Sequence, residues 1–153
     1  MSEEGEPKIA LTETTKTIST AIHPQFATSE YQLLLTIPRH RPTTTSTKNK
    51  QTVPITVHLS TTGPSAALGC FVYSIIDLRD KSQTQQKAQS QIYQTLLNNA
   101  EEALVDLTKR LGFLITKKFK VPSYVSISGD GVSIEDFVSL VGDLNKVIDE
   151  SFD

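Results

Sequence analysis

Alternating apolar and polar residues predict several strands, most of them in the first half of the chain. Residues 53–59 show the pattern most clearly, because every second side chain from Val53 onward is apolar. Pro54 cannot donate to a β-ladder, so it places this strand near its start or at a sheet edge. Strands are predicted at residues 14–22, 31–37, 52–60, 68–78 and 124–128.

Two later segments carry apolar residues at the three- and four-residue spacing of amphipathic helices. The first runs from about residue 99 to residue 118, and residues 92–97 are either a short strand or the lead-in to it. The second follows Ser133, which is expected to cap it. Its apolar stripe is expected to pack on the core and consists of Ile134, Phe137, Val138, Val141, Leu144, Val147 and Ile148.

This order of elements predicts an α+β fold. Early strands joined by short loops favour an antiparallel sheet of about five or six strands, with the two helices on one face. Residues 68–78 are apolar on both sides of their strand, and a two-layer monomer cannot cover both sides. We therefore expect two such sheets to pack as a sandwich in a dimer.

The strand at residues 68–78 supplies the candidate partner-binding residues. Its two sides are formed by two alternative sets, Phe71, Tyr73 and Ile75 or Val72, Ser74 and Ile76. The sequence does not decide which set packs on the helices. We take Phe71, Tyr73 and Ile75 as the set that binds a partner.

Length and composition indicate one domain. The chain has 153 residues, enough to bury a core without disulfides or metals. Residues 1–12 are acidic and are expected to form a flexible tail. Residues 13–153 are expected to form a single α+β domain, interrupted by a disordered basic loop at about residues 39–51.

Charge and cysteine content exclude several classes of protein. The net charge of −2 argues against nucleic acid as the main partner. The single cysteine excludes an intrachain disulfide. The sequence shows no signal peptide and no apolar stretch near 18 residues, so we expect a soluble protein of the cytoplasm, and also of the nucleus, with no membrane contact.

The basic loop is a second candidate binding segment. No Asp or Glu occurs from residue 31 to residue 76, and the loop contributes Arg39, Arg41, Lys48 and Lys50. Two interpretations stay open for these four residues. They contact an acidic surface of a partner, which would affect mainly association rate, or they belong to a solubilising spacer.

The chain offers no catalytic, cofactor-binding or metal-binding motif. His23, His40 and His58 lack the spacing of metal ligands. Cys70 and His58 could in principle form a nucleophile and base, but Cys70 lies within an apolar strand and is better interpreted as a buried small residue. The Gly-Asp-Gly at 129–131 is interpreted as a turn rather than a phosphate loop, because its Asp would repel phosphate.

The order of four segments resembles a known family. They read YQLLLTIPR, VPITVHLS, SAALGCFVYSIIDLRDK and LVDLTKRLGFLITKKFKVPSYVSIS, and together they cover roughly residues 31–128. This arrangement resembles the fungal proteasome assembly chaperone 4 family, one half of the small chaperone pair that guides assembly of the 20S core. The related type 3 shares the architecture, and we favour the fourth type.

The resemblance implies a function without enzymatic activity or cofactor. It implies a heterodimer with a related subunit of the proteasome assembly chaperone 3 type, with the two sheets packed together. It also implies binding to a proteasome α subunit, the fifth of the ring, during α-ring formation, with release before the particle matures. The alternatives are a small dimerising α+β adaptor of another pathway, such as trafficking, and, more remotely, a hydrolase that uses Cys70.

Overall fold

Six strands and two helices make up the part of the chain that the structure, a computed structural model, describes. That part comprises residues 14–27, 29–42, 53–63, 65–77, 91–130 and 132–153. The strands are β1 (Thr15–Ile22), β2 (Tyr31–Pro38), β3 (Ile55–Ser60), β4 (Cys70–Ile76), β5 (Ile92–Asn99) and β6 (Ser123–Ser128). The helices are α1 (Val105–Phe119) and α2 (Phe137–Ser151), and 3₁₀ turns at Glu102–Leu104 and Ile134–Asp136 precede them.

The six strands form one sheet in the order β1-β2-β3-β6-β4-β5. β6 pairs in parallel with β3 on one side and antiparallel with β4 on the other. The remaining neighbours are antiparallel. The predicted α+β fold with two helices on one face is confirmed, but the sheet is mixed rather than antiparallel throughout. The crossover through α1 explains the parallel pair, because a helix can return the chain to a distant position in the sheet.

The hydrophobic core lies between the sheet and the two helices. α1 packs on β4, β5 and β6, whereas α2 lies beside α1 and near β1. Each of the four central strands contributes fully buried residues to this layer. They include Leu33, Leu35, Ile55, Val57, Val72, Val125 and Ile127, which meet Leu107, Leu111, Ile115, Leu140, Leu144 and Ile148 from the helices.

Most predicted boundaries agree with the structure within a few residues. Pro54 immediately precedes β3, as expected for a strand start. Residues 92–97, left open between strand and helix, belong to β5. The Ser133 Oγ accepts a hydrogen bond from the Glu135 N–H at 3.1 Å, so it caps the 3₁₀ turn that leads into α2. The tail at 1–12 and residues 43–51 of the basic loop lie outside the described residues.

The predicted stripe of α2 is partly wrong. Ile134 and Val138 are exposed, whereas Leu140, which the prediction left out, is buried. The other members of the stripe are buried or partly buried against the core: Phe137, Val141, Leu144, Val147 and Ile148. Val138 lies two residues from Leu140, which places it about 200° around the helix from that buried side chain. The 3₁₀ turn before α2 has a different periodicity, so a single helical pattern from residue 134 onward does not describe both segments.

Gly112, which has no side chain, lets α1 lie close to the sheet. A Cβ atom on Gly112 would be only 2.8 Å from the Ser74 Oγ of β4. The Ser123 Oγ of β6 donates to the Gly112 carbonyl at 3.2 Å and lies 2.8 Å from the Thr116 Oγ1. Gln94 Nε2 donates to the Ser74 Oγ at 3.0 Å. The helix and three strands are therefore joined by polar groups that find their partners inside the core.

We predict that Gly112→Val destabilises the protein by about 1–3 kcal/mol, because the added methyl groups overpack the contact between α1 and the sheet. Urea unfolding measures the change. Gly142→Val is the matched control on α2, where an added Cβ would have no neighbour within 4 Å. The control should change stability by less than about 0.5 kcal/mol. Equal effects of the two substitutions would contradict this account of the packing.

Candidate functional site

The face of the sheet opposite the helices is the candidate functional site. No described helix or strand packs on it, and we call it the open face. On β4, Val72 and Ser74 are buried toward the helices, whereas Phe71, Tyr73 and Ile75 alternate with them and point to the open face. The structure thus resolves which set faces the helices. Binding of a partner to Phe71, Tyr73 and Ile75 stays a prediction.

Aromatic side chains from neighbouring strands meet on the open face. The rings of Tyr73 and Tyr124 stack with their centroids 4.5 Å apart, and the Phe71 ring lies 6.0 Å from that of Tyr124. Tyr93 of β5 is the register partner of Ile75 and is exposed. We call these five residues, Phe71, Tyr73, Ile75, Tyr93 and Tyr124, the aromatic patch.

The aromatic patch contains no Asp, Glu, Lys, Arg or His. Burial, followed by the neighbouring Tyr124, raises the pKa of Tyr73 above its ordinary value. The phenol therefore stays protonated, and its hydroxyl can donate a hydrogen bond to a partner. Large rings with a polar end are the side chains most enriched at protein interfaces.

Hydroxyl groups dominate the other half of the open face, on β1, β2 and β3. The Thr17 and Thr36 hydroxyls are 2.9 Å apart across β1 and β2. His58 Nδ1 is hydrogen-bonded with the Ser126 Oγ between β3 and β6. Leu34 is exposed among these polar side chains. The open face is therefore apolar toward β4 and β5 and polar toward β1.

Cys70 is a buried small residue, as expected, and does not pair with His58. Cys70 is fully buried on the helix side of the sheet, whereas His58 lies on the open face. His58 contacts Ser126 instead, and no described carboxylate accepts a hydrogen bond from its ring. In acyl-transfer enzymes, a third group orients the base that activates a serine nucleophile. Because no described carboxylate orients His58, the His58–Ser126 pair lacks that arrangement.

Neither a metal-binding cluster nor a membrane-spanning helix occurs among the described residues. Among them, no group of three or more His, Cys, Asp or Glu side chains could hold a metal ion. None of the described helices is both long and apolar enough to cross a bilayer.

The two described arginines of the basic loop pair with the C-terminal end of the chain. Arg39 Nη1 lies 3.2 Å from an Asp153 carboxylate oxygen, and the Asp153 N–H donates to the Arg39 carbonyl at 2.8 Å. Lys16 Nζ lies 2.7 Å from the other Asp153 oxygen. Hydrogen bonds from Lys16 and Arg39 hold the pKa of Asp153 below its ordinary value. Lys48 and Lys50 lie outside the described residues.

A second ion pair continues this contact along α2. Arg41 pairs with Asp149, whose other oxygen accepts from Lys118 Nζ at 2.7 Å. Hydrogen bonds from Lys118 first, and also from Arg41, lower the pKa of Asp149. The Arg41 guanidinium lies 5.3 Å from the Phe152 ring, within cation–π range. The start of the basic loop is thus tied to the end of the last helix.

The sequence analysis missed Tyr93 and Tyr124 as members of the site. Tyr124 alternates with the apolar residues Val125 and Ile127 in β6, so its position opposite them was readable from the pattern. Tyr93 carried no such signal, because β5 is exposed along most of its length and shows no clear alternation.

Comparison with known proteins places the chain in a family. The model for the family described as 20S proteasome chaperone assembly proteins 3 and 4 matches residues 12–149. The chain belongs to this family. The family description covers both types, so assignment to the fourth type stays a prediction.

A solved structure shows the same fold as this family member. It is the crystal structure of a novel chaperone complex for yeast 20S proteasome assembly, with a TM-score of 0.54 and 20% sequence identity. The similarity covers 90% of this chain and 91% of that chain. At this identity the likeness establishes the fold alone. A search of curated proteins gave no match.

We predict that His58 makes the protein less stable as the pH falls below about 7. Burial lowers the pKa of His58 below its ordinary 6.5, so the unfolded chain takes up the proton first. Stability is therefore full above pH 6.5 and declines as the pH falls through that value toward the folded-state pKa. His58→Gln should flatten the dependence of unfolding free energy on pH.

Urea unfolding at several pH values measures this slope. His23→Gln changes an exposed histidine and is the matched control. Its slope should match that of the unchanged protein. A slope that persists in the His58→Gln protein would show that other groups cause the acid sensitivity.

Proposed function

We propose that this chain is a non-enzymatic assembly chaperone of the 20S proteasome that works as one half of a heterodimer. The observation that carries the proposal is the family match across residues 12–149. An uncovered, partly aromatic sheet face supports it, because such a face is typical of an interaction surface. The family match gives no support to an adaptor of another pathway.

The proposed partner is a related subunit of the proteasome assembly chaperone 3 type, bound through the open face. Two sheets stack face to face about 10 Å apart when side chains from both interdigitate. The aromatic patch supplies side chains of the size that fills such an interface. A related subunit is a suitable partner because a similar fold presents a similar open sheet.

The proposed client is a proteasome α subunit, the fifth of the ring, during α-ring formation. Binding alone is enough for this role, provided that the chaperone has higher affinity for early intermediates than for late ones. Loss of affinity as neighbouring subunits join would then release the chaperone before the particle matures. The proposed location is the cytoplasm, and also the nucleus.

The basic loop is a further proposed contact with the client, through Arg39, Arg41, Lys48 and Lys50. Arg39 and Arg41 already pair with acidic residues near the C-terminus. Each of these two arginines would have to leave its carboxylate within the chain in order to pair with the client. Losing the internal ion pair would reduce the net free energy gained by binding. Lys48 and Lys50 would therefore contribute more of any effect on association rate and its salt dependence.

Affinity capture tests the proposed function. We predict that the tagged chain recovers proteasome α subunits together with one small related subunit, and that mature 20S particles are absent from the captured material. Mass spectrometry of material captured at low and at high salt identifies these proteins. Recovery of membrane-traffic components without any proteasome subunit would instead support the adaptor alternative.

We predict that Tyr73→Asp separates the heterodimer without unfolding the chain. A charge buried without a partner at the interface costs about 2 kcal/mol or more, which weakens the complex about 30-fold or more. Co-elution of the two purified subunits on a sizing column, followed by titration, measures the loss.

Phe113→Asp is the matched control for this experiment. Phe113 is an exposed aromatic residue on α1, on the opposite side of the molecule from the aromatic patch. It should leave both association and thermal stability close to those of the unchanged chain. Normal association of the Tyr73→Asp protein would exclude the open face as the dimer interface.

A further inference from the structure

Three apolar side chains are strongly exposed at one end of the molecule, away from the open face. The exposed fractions are 91% for Phe26, 81% for Val138 and 67% for Ile134. The Gln25 N–H donates to the Ser139 Oγ at 3.0 Å, which joins the loop that carries Phe26 to the first turn of α2. No other large hydrophobic side chain in the described part of the chain is as exposed as these three.

The backbone at Phe26 is unfavourable for a bulky residue. Its φ is +67°, in the left-handed region that non-glycine residues rarely adopt. Such a conformation persists only where the surrounding structure holds it, and it is typical of ligand-binding and switch segments. Here it directs a phenyl ring into solvent, where the ring gains no burial in return.

The loops at this end of the molecule together carry acidic residues and no Lys or Arg. The strand registers bring the described residues of four segments together there, and the segments span 23–30, 61–69, 100–104 and 129–136. The sequence of these segments contains no Lys or Arg. Their acidic residues are Glu30, Glu101, Glu102, Asp130, Glu135 and Asp136.

The helix dipoles explain why some of these acidic residues lie at this end of the molecule. They do not explain the exposure of Phe26, Ile134 and Val138. Both helices begin at this end, and acidic side chains are favourable near helix N-termini. That effect stabilises Glu102 and Glu135 where they stand. It gives no reason for three exposed apolar side chains between the acids, one of them held by an unfavourable backbone.

Resting on the proposed function, we infer that the surface formed by Phe26, Ile134 and Val138 binds a segment of the α-subunit client that combines aliphatic and basic side chains. The apolar residues would bury the aliphatic part, and Glu30 and Glu135 would face the Lys or Arg residues. Charge complementarity of this kind raises association rates and fixes orientation. Because this surface is separate from the open face, the chaperone holds its partner subunit and its client at the same time.

Truncation of the apolar side chains tests this inference in the heterodimer. The variant Phe26→Gly with Val138→Ala should bind the captured α subunit at least about tenfold more weakly, since two buried anchors are lost. Its affinity for the partner subunit should be unchanged. Its melting temperature should be equal or higher, because Gly accepts a positive φ and Ala favours the helix.

Neutralisation of the acidic residues tests the charge complementarity separately. Glu30→Gln with Glu135→Gln should slow association with the α subunit and flatten its dependence on salt. Phe113→Ala is the control for the truncations, and Glu150→Gln near the end of α2 is the control for the charges. Neither control should change client affinity.

The outcomes separate the inference from the proposed function on which it rests. Capture of no α subunit by the unchanged heterodimer would overturn both. Capture by the unchanged and truncated proteins with equal affinity would overturn the inference alone. Loss of the partner subunit in the truncated protein would also overturn it, because the surface would then belong to the dimer interface.

Discussion

The sheet depends on one late strand that joins its two halves. β6 lies between β3 and β4, so it connects the β1-β2-β3 segment with the β4-β5 hairpin. Its two neighbours run in opposite directions, and β6 satisfies the backbone of both. Without it, each half would expose a hydrogen-bonding edge and a strip of apolar surface.

The position of β6 also determines what lies on each face. Toward the helices, Ser123, Val125 and Ile127 are buried against α1, and Ser123 bonds to the carbonyl of Gly112. Toward the open face, Tyr124 stacks on its neighbours from β4. A single strand thus contributes both to the internal packing that stabilises the subunit and to the surface proposed for its partner.

The local sequence pattern was enough to predict most of the helices and strands, but not the order of the strands in the sheet. Alternation located β2 and β3, and the three- and four-residue spacing located both helices, because these signals depend only on which side of an element is buried. The insertion of β6 between β3 and β4 left no local trace, since strands adjacent in sequence usually pair. β5 stayed ambiguous because an exposed edge strand need not alternate.

The candidate site was predictable to a similar extent and for similar reasons. Phe71, Tyr73 and Ile75 could be recognised as one side of a strand, but only the packed helices show which side is free. The contacts of Arg39 and Arg41 with Asp153 and Asp149 span more than a hundred residues, and charge spacing does not reveal such pairs. Ile134 and Val138 were assigned to the core because the change from a 3₁₀ turn to an α-helix alters the periodicity.

The late place of β6 in the chain has a consequence during synthesis. A nascent polypeptide is made in sequence order, so β1 to β5 are all synthesised before residue 123 is added. Until then the two halves of the sheet have nothing to join them, and the Tyr124 ring between Phe71 and Tyr73 does not exist. Truncated products that end before β6 therefore lack a complete aromatic patch, and a partner that binds there, as proposed, would recognise only chains translated beyond residue 128.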